Sequence, residues 1–351
     1  MYTPVTFASV TFAIVGSGTA AKIHATALMH TDYAELVAVF DSDTARAQAF
    51  ADNFQKENPA TKPLRVVSSW QALLEDERIE VLCLCTPSGL HATQAAEALL
   101  HGKHVLVEKP LALNPADCDH VIAAAEKSGK ICSVVSQLRF SPAIEAVKQA
   151  VHMGCFGRLV CGEVSMPYHR DRSYYENSPW RGTWAMDGGG ALMNQGIHGV
   201  DILLHWMGRA ESVGAFCRTL AHPIETEDTA VAVVSFAGGA VGTILAATSP
   251  LPGYRRRLAL YGTEGSVLLE EDCIVCWDLD APAPDLPSGN QGGHRNPAAI
   301  SAAGHQRHME DMVLAVRTGT PVMLDAKEGK RAVELIYSVY QSAQTGQIIK
   351  I

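Results

Sequence analysis

The feature that most constrains this chain is a glycine-containing turn, Gly16–Ala21, between an apolar run and a helix-compatible stretch. The run TFAIV precedes the turn, AAKIHATALMH continues it, and a second apolar run, ELVAVFD, ends at Asp41. A strand, a tight turn, a helix and a second strand form a βαβ unit of about 30 residues. This pattern predicts a nucleotide-binding α/β fold from the start of the chain.

The turn itself has the form G-x-G-x-x-A, in which glycines let a pyrophosphate approach the backbone N–H groups at a helix N-terminus. The alternative is an ordinary tight turn. Asp41, 23 positions beyond Gly18, favours the dinucleotide interpretation, because a carboxylate there binds both ribose hydroxyls of NAD and repels the 2′-phosphate of NADP. We therefore expect NAD to be preferred over NADP. The predicted contacts are Gly16, Ser17, Gly18, Thr19, Ala20, Ala21, Asp41 and Ser42.

Strand-like and helix-like segments alternate up to about residue 139, which predicts a doubly wound parallel sheet. Beyond it, apolar runs joined by short turns favour an antiparallel sheet. We expect an α/β chain with a Rossmann domain at 1–139 and an α+β domain with a large, predominantly antiparallel open sheet at 140–351. Segment 281–299 is predicted to be a loop, and helices at 304–318 and 326–344 are predicted to pack back on the first domain.

Composition limits the partners. A formal charge of −9 disfavours nucleic acid and anionic membranes, which attract basic surfaces. Nine scattered cysteines indicate reduced thiols and a cytoplasmic location. Cys273 and Cys276 have C-x-x-C spacing, but without a second pair or a nearby histidine we expect no metal site. The N-terminal sequence predicts neither a signal peptide nor a membrane span.

Four motifs occur in order along the chain: G-S-G-T-A-A, T-P-S-G-L-H, H-V-L-V-E-K-P and G-G-G-A-L-M-N-Q-G-I-H-G-V-D. Together they resemble the Gfo/Idh/MocA oxidoreductase family over nearly the whole chain. The resemblance implies oxidation or reduction of a sugar, a cyclitol or a sugar derivative with a nicotinamide cofactor. It also implies a homodimer or homotetramer, because the antiparallel sheet often forms an interface in this family.

The resemblance implies three catalytic residues. Lys109 of the E-K-P motif is expected to reach the nicotinamide ribose and the substrate hydroxyl, where an ammonium stabilises alkoxide charge or relays a proton. His198 is the second candidate base. Asn194 stands where many relatives have aspartate, and an amide orients a neighbour but cannot stabilise imidazolium as a carboxylate would. The choice of base between Lys109 and His198 therefore stays open.

The remaining predictions are weaker, and a structural role is the alternative for each. Thr86 and Pro87 follow a strand at the carboxyl edge of the sheet, where doubly wound folds bind ligands. Further cofactor contacts are expected at His91, Glu108, Lys109 and Gln137. Substrate contacts are expected at Arg139, Tyr168, Trp180, Arg181, Asn194, His198 and His305.

Three functions follow from these residues. The leading one is NAD-linked oxidation of a secondary alcohol on a sugar-like molecule. Some relatives instead retain NAD and hydrolyse glycosides by transient oxidation. A third possibility is a dinucleotide-sensing regulator, which we expect to lack the lysine and the histidine that are present here.

Overall fold

The computed structural model describes residues 8–285 and 302–351, which form two compact units. Among these residues, unit 1 comprises 8–112, 116–137 and 302–329, and unit 2 comprises 113–115, 138–285 and 330–351. The α-helices are α1 Thr19–Met29, α2 Thr44–Glu57, α3 Trp70–Glu75, α4 His91–Leu100, α5 Pro115–Ser128, α6 Pro142–His152, α7 Arg172–Glu176, α8 Ile197–Met207, α9 Ala303–Thr318 and α10 Ala326–Thr345.

Unit 1 contains a six-stranded parallel sheet in the order β3-β2-β1-β4-β5-β6. Its strands are β1 Val10–Val15, β2 Ala34–Phe40, β3 Arg65–Val66, β4 Val81–Leu84, β5 His104–Val107 and β6 Cys132–Val134. This is the Rossmann strand order, with the order reversing beside β1. The predicted doubly wound sheet is confirmed, and all its carboxyl ends lie at one edge.

The strands of unit 1 are apolar because helices cover the sheet. Phe12 and Ile14 of β1 are fully buried, and each such side chain contributes about 1.5–3 kcal/mol by leaving water. Met309 and Met312 of α9 belong to the same core. Residues 302–329 lie in the range predicted for the second domain, but this packing groups them with unit 1.

Unit 2 is built on an eight-stranded sheet in the order β13-β12-β11-β7-β10-β9-β8-β14. Its strands are β7 Leu159–Pro167, β8 Ala210–Arg218, β9 Thr229–Phe236, β10 Val241–Ala247, β11 Arg257–Gly262, β12 Ser266–Glu270, β13 Cys273–Asp278 and β14 Ile349–Lys350. β7 and β10 pair in parallel, whereas the other neighbouring pairs are antiparallel. The predominantly antiparallel sheet is therefore confirmed.

The predicted helices near the end of the chain agree with α9 and α10. Residues 281–285 of the predicted loop form neither helix nor strand, and 286–299 lie outside the described residues. Across the described ranges, no helix combines the length and the apolar character that crossing a membrane requires.

Candidate active site

The glycine turn connects β1 to α1 in the conformation that the motif predicts. Gly16 has a φ of 87°, and a Cβ added to it would lie 2.8 Å from the carbonyl oxygen of Cys85. Only glycine fits this position without strain. At Gly18, by contrast, an added Cβ would meet no atom within 4 Å, so space is open at the start of α1. The turn fits the pyrophosphate of a dinucleotide, which such a helix N-terminus binds.

Asp41 follows β2 and lies beside this turn. Its Oδ2 accepts hydrogen bonds from the backbone N (2.9 Å) and the hydroxyl (2.6 Å) of Ser17, and its Oδ1 accepts from Arg46 (2.8 Å). Burial raises the pKa of Asp41, but these hydrogen bonds outweigh burial and leave that pKa below its usual value. The carboxylate is therefore ionised. A ribose diol that bound to it would replace the Ser17 hydroxyl and the exposed Arg46 side chain as hydrogen-bond donors.

His91, predicted to line the cofactor site, is buried at the start of α4. Its Nδ1 lies 2.7 Å from the carbonyl oxygen of Pro110, and its Nε2 lies 2.9 Å from that of Thr86. Burial lowers the pKa of this imidazole. The ring thus links the T-P turn to the E-K-P segment, and contact with the cofactor stays a prediction for His91, Thr86 and Pro87.

Glu108 is the centre of a buried cluster at the carboxyl end of β5. Its Oε1 lies 2.9 Å from Nε2 of His24 and 3.4 Å from Nε2 of His305. Burial raises the pKa of Glu108, but the two imidazoles and their hydrogen bonds reverse this effect and bring the pKa well below its usual value. The backbone N of Lys109 donates to Oε2 (3.3 Å). Glu108 is therefore an ionised anchor for the residue that follows it.

This cluster contains two histidines, one of which was predicted to contact substrate. His305 was predicted to contact substrate, whereas the structure places it in unit 1 against Glu108. His24 is fully buried in the same cluster. The three ligand atoms of His24, Glu108 and His305 lie within 4.8 Å of one another, a set that could bind a divalent cation. Sequence reasoning missed this set because its members are 84 and 197 positions apart.

In unit 2, Asn194 lies in a π-helical segment, Ala191–Gly196, that leads directly into α8 and His198. Its Nδ2 donates to Oδ1 of Asp187 at 2.5 Å, and its Oδ1 accepts from Nε2 of Gln195 at 2.7 Å. π-Helical turns interrupt many α-helices at functional sites. The orientation of the Asn194 amide is fixed by these two hydrogen bonds.

Glu227 holds the start of this segment. Its carboxylate accepts hydrogen bonds from the backbone N of Gly190 (2.9 Å), the backbone N of Leu192 (2.7 Å) and the hydroxyl of Tyr340 (3.0 Å). A Cβ on Gly190 would lie 1.9 Å from the carbonyl oxygen of Glu227, so glycine is required there. Burial raises the pKa of Glu227 to about 7, although the hydrogen bonds from the backbone lower it.

Arg170, Arg181 and Gln195 surround Tyr174. Arg170 donates to Oε1 of Gln195 (2.7 Å), and Nε2 of Gln195 donates to the Tyr174 hydroxyl (2.7 Å). The guanidinium of Arg181 lies 4.1 Å from the centroid of the Tyr174 ring, a cation–π distance. Trp180 is half-buried beside Arg181, 5.5 Å from its guanidinium.

Two residues that were predicted to contact substrate have partners within the protein. Arg139 is buried and binds Asp201 through two hydrogen bonds of 2.9 and 2.6 Å, so its charge is neutralised within unit 2. Tyr168 is buried, and its ring centroid lies 5.5 Å from the guanidinium carbon of Arg170. Both side chains have structural partners that a sequence motif does not reveal. Gln137 is half-buried at the start of a 3₁₀ turn, with its Oε1 buried and without a hydrogen-bond partner among the described residues.

Sequence reasoning also missed Asp187, Gln195 and Glu227. Asp187 and Gln195 border the G-G-G and G-I-H motifs, so their positions carried a signal that could have been used. Glu227 lies 33 positions beyond Asn194, within T-E-D-T, and nothing in its local sequence indicates that it binds the glycine segment.

Comparison with known proteins identifies similar chains. A family model described as an oxidoreductase family with an NAD-binding Rossmann fold matches residues 10–136, and the GFO/IDH/MocA C-terminal domain model matches 144–268. The crystal structure of the WlbA dehydrogenase of Bordetella pertussis, in complex with NADH and UDP-GlcNAcA, is 32% identical with a TM-score of 0.87, covering 99% of each chain. D-glucoside 3-dehydrogenase of Escherichia coli is 27% identical, covering 97% of each chain. Myo-inositol 2-dehydrogenase of Thermotoga maritima is 24% identical, covering 96% of this chain and 97% of that protein.

Proposed function

Because the chain belongs to the Gfo/Idh/MocA oxidoreductase family, an NAD-binding family, we propose that it oxidises a secondary alcohol of a sugar, cyclitol or sugar derivative. One observation in unit 1 carries the proposal. The glycine turn follows β1, Asp41 follows β2 and Lys109 follows β5, so all three lie at the carboxyl edge of the same parallel sheet. Ligands of doubly wound folds bind at that edge.

The turn Gly16–Ala21 and Asp41 would hold the dinucleotide. When bound, NAD⁺ supplies the acceptor for the hydride of the carbinol carbon, so that alcohol and NAD⁺ give ketone, NADH and a proton. Asp41 favours NAD, because its ionised carboxylate would repel a 2′-phosphate. Arg46 beside it is the cation that could weaken this preference.

Lys109 stabilises the alkoxide that develops on the substrate oxygen, or accepts its proton. The backbone N of Lys109 donates to the carboxylate of Glu108, which His24 holds in turn. On the other side of this lysine, Nδ1 of His91 lies within hydrogen-bond distance of the carbonyl oxygen of Pro110. Because the backbone that carries the ammonium is held in place, the ammonium needs little reorganisation during the reaction. This support for the E-K-P segment is what favours a catalytic role for Lys109 over a surface role.

His198 is the second proton-transfer group, and Asn194 orients the reacting molecule. His198 is half-buried at the second position of α8. Asn194 lies four positions before His198 in the chain and donates a hydrogen bond to Asp187. The carboxylate that many relatives place at the position of Asn194 is thus present one hydrogen bond away. We propose that the carboxylate of Asp187 orients the side-chain amide of Asn194.

Absorbance of reduced nicotinamide tests the proposal. Purified protein is given NAD, then NADP, with a panel of free sugars, inositols, sugar acids and nucleotide-linked sugars, since one similar dehydrogenase was crystallised with UDP-GlcNAcA. We expect NADH formation that Lys109→Ala abolishes and that Lys62→Ala, an exposed control, retains. Release of sugar from a glycoside without net NADH would support the glycosidase, and tight NAD binding without either reaction would support a regulator.

Unit 2 also presents a surface that fits a second copy of the chain. On the sheet face away from its core, Phe216 and its cross-strand partner Val231 are 70% and 46% exposed, and Val233 is 55% exposed. Contiguous exposed apolar groups of this kind mark interaction surfaces. We propose a homodimer or homotetramer formed through this face, with unit 2 as the substrate-binding and oligomerisation domain. Light scattering on Val233→Glu would show a smaller assembly than the unaltered protein.

All nine cysteines lie in the described residues and are free thiols. Free thiols are typical of reducing compartments, and they support the cytoplasm as the proposed location.

A further inference from the structure

We propose that Glu227 and Tyr340 are positioning residues of the active site, because together they hold the start of the helical segment that carries Asn194 and His198. This inference rests on the proposed function, in which Asn194 and His198 act on the alcohol. Neither Glu227 nor Tyr340 is among the predicted site residues, and both lie in unit 2.

Glu227 accepts hydrogen bonds from three consecutive backbone N–H groups of this segment. Oε2 of its side chain accepts from Gly190 (2.9 Å), its backbone oxygen accepts from Ala191 (2.9 Å), and Oε1 of its side chain accepts from Leu192 (2.7 Å). The first N–H groups of a helix have no acceptor within that helix. Gly190 and Leu192 are buried, so loss of the carboxylate would leave buried donors unpaired.

Tyr340 of α10 supplies the acceptor for the fourth N–H group. The backbone N of Met193 donates to the Tyr340 hydroxyl oxygen (3.2 Å), and this hydroxyl donates to Oε1 of Glu227 (3.0 Å). A Cβ added to Gly189 would lie 2.0 Å from the same hydroxyl oxygen. The glycine motif therefore leaves room for the tyrosine, which extends the set of acceptors to the residue immediately before Asn194.

The position of this start determines the position of the residues that follow. The next N–H group, that of Asn194, donates to the backbone oxygen of Gly190 (3.1 Å), so hydrogen bonding within the segment begins there. The π-helical segment Ala191–Gly196 continues without a break into α8, whose second residue is His198. A displacement of Gly190 would therefore be passed on to Asn194 and His198.

These contacts require Glu227 to be ionised. Both side-chain oxygens accept, whereas a protonated carboxyl group would direct an O–H at one of the donors. Burial raises the pKa of Glu227 to about 7, so the ionised form is gained as pH rises through that value. Cys217 of β8 and Tyr340 also interact with this carboxylate, and burial, followed by its charge, raises the pKa of both. Neighbouring Asp228 instead accepts from the backbone N–H groups of 220–222.

Glu227→Gln tests the carboxylate, because glutamine has the same shape but only one acceptor oxygen. The kcat of the unaltered protein is divided by that of the variant between pH 6 and 9, with an alcohol that gives NADH. We expect this ratio to rise from below roughly 2 at pH 6 to roughly 10 at pH 8, as loss of one buried acceptor and a pKa of about 7 predict. Ionisation of Lys109 and His198 affects both proteins alike and cancels in the ratio.

Tyr340→Phe is the second variant, because it removes the acceptor for Met193 and cannot titrate. Its kcat should be lower by roughly 3- to 10-fold at every pH. The affinity for NADH should stay within about twofold in both variants, since the glycine turn belongs to unit 1.

Two exposed residues of unit 2 provide matched controls. Tyr337→Phe makes the same change on the outer side of α10, where Tyr337 is 39% exposed. Glu211→Gln makes the other change on β8, where the Glu211 side chain is 47% exposed. Each control should keep kcat within about twofold, because surface substitutions have small effects. Assays are run below the unfolding temperature of every variant, so that a loss of stability alone does not change kcat.

The outcomes separate the two proposals. A ratio for Glu227→Gln that is constant with pH, or a kcat of Tyr340→Phe equal to that of Tyr337→Phe, would overturn the positioning role and leave the dehydrogenase intact. If no alcohol yields NADH, the dehydrogenase proposal fails. Hydrogen exchange of the backbone amides of 190–193 then decides the positioning role alone. We expect faster exchange in Glu227→Gln and Tyr340→Phe than in their controls, and equal exchange would overturn it.

Discussion

The side-chain amide of Asn194 donates to the carboxylate of Asp187, which is itself buried and also accepts a hydrogen bond from the backbone N of Gly182. Because a carboxylate only accepts, this contact fixes which end of the amide faces Asp187 and leaves Oδ1 facing Gln195. The orientation of Asn194 is thus determined by a residue seven positions earlier in the chain.

Asp187→Asn should therefore lower kcat for alcohol oxidation by roughly 10- to 100-fold, because an asparagine can bind either end of the Asn194 amide. The affinity for NAD should stay within about twofold, since Asp187 belongs to unit 2. Steady-state kinetics and fluorescence titration with NADH measure the two quantities. Asp278→Asn makes the same change at an exposed position of unit 2. Equal kcat in the two variants would show that Asp187 does not position Asn194.

Asp41 should determine the choice of dinucleotide. Asp41→Ala removes the carboxylate that we propose binds the ribose diol and repels a 2′-phosphate, and it leaves Arg46 without this partner. The ratio of kcat/KM for NAD to that for NADP should fall at least roughly tenfold, as loss of one charged contact predicts. Arg46→Ala should shift the ratio in the opposite direction. An unchanged ratio in both variants would rule out this origin of the preference.

Glu227 predicts a pH dependence of stability. Its folded-state pKa, about 7, lies above the ordinary value of 4.5 because the carboxyl group is buried, so the folded state binds the proton more tightly than the unfolded state. The free energy of unfolding should fall as pH rises from about 4.5 to 7. The full loss is about 3 kcal/mol at about 1.4 kcal/mol per pKa unit, and no further loss is expected above pH 7.

Thermal unfolding of the unaltered protein and of Glu227→Gln between pH 5 and 8 measures this effect. The neutral glutamine should flatten the slope between pH 5 and 7, because it cannot titrate. Parallel slopes in the two proteins would show that Glu227 is ionised throughout this range.

The buried Arg139–Asp201 pair should matter for folding rather than for substrate binding. Arg139→Met leaves the Asp201 carboxylate buried without this arginine and should cost about 3–5 kcal/mol in the free energy of unfolding. The double variant Arg139→Met with Asp201→Leu should recover most of that loss, because it removes both charges. Urea denaturation provides the values. If the single variant kept full stability but lost substrate affinity, Arg139 would be a substrate-binding residue.

The sequence alone predicted the two sheets and the position of the glycine turn, because hydrophobic periodicity and close backbone approach are local properties. It could not assign Arg139, whose partner Asp201 is 62 positions away. Nor could it find Glu227, whose hydrogen bonds to Gly190 and Leu192 join residues 37 and 35 positions apart. Buried polar groups are satisfied by tertiary contacts, and single motifs do not encode those contacts.

The group around Glu108 illustrates the same limit. The E-K-P motif indicated where Lys109 lies, but not that His24 and His305 anchor the preceding carboxylate. These histidines come from α1 and α9, which the chain brings together in unit 1. The motif therefore marks Lys109, the residue proposed to react, and the fold supplies the contacts that hold the preceding carboxylate.

Transfer of deuterium tests the central claim most directly. A sugar that gives NADH in the absorbance assay is labelled with deuterium at each carbinol carbon in turn, and the reduced dinucleotide is analysed by mass spectrometry. The account predicts one deuterium in the nicotinamide ring from one carbinol position, a slower rate for that labelled sugar, and no product with Lys109→Ala. NADH without deuterium from any carbinol position, or full activity of Lys109→Ala, would contradict it.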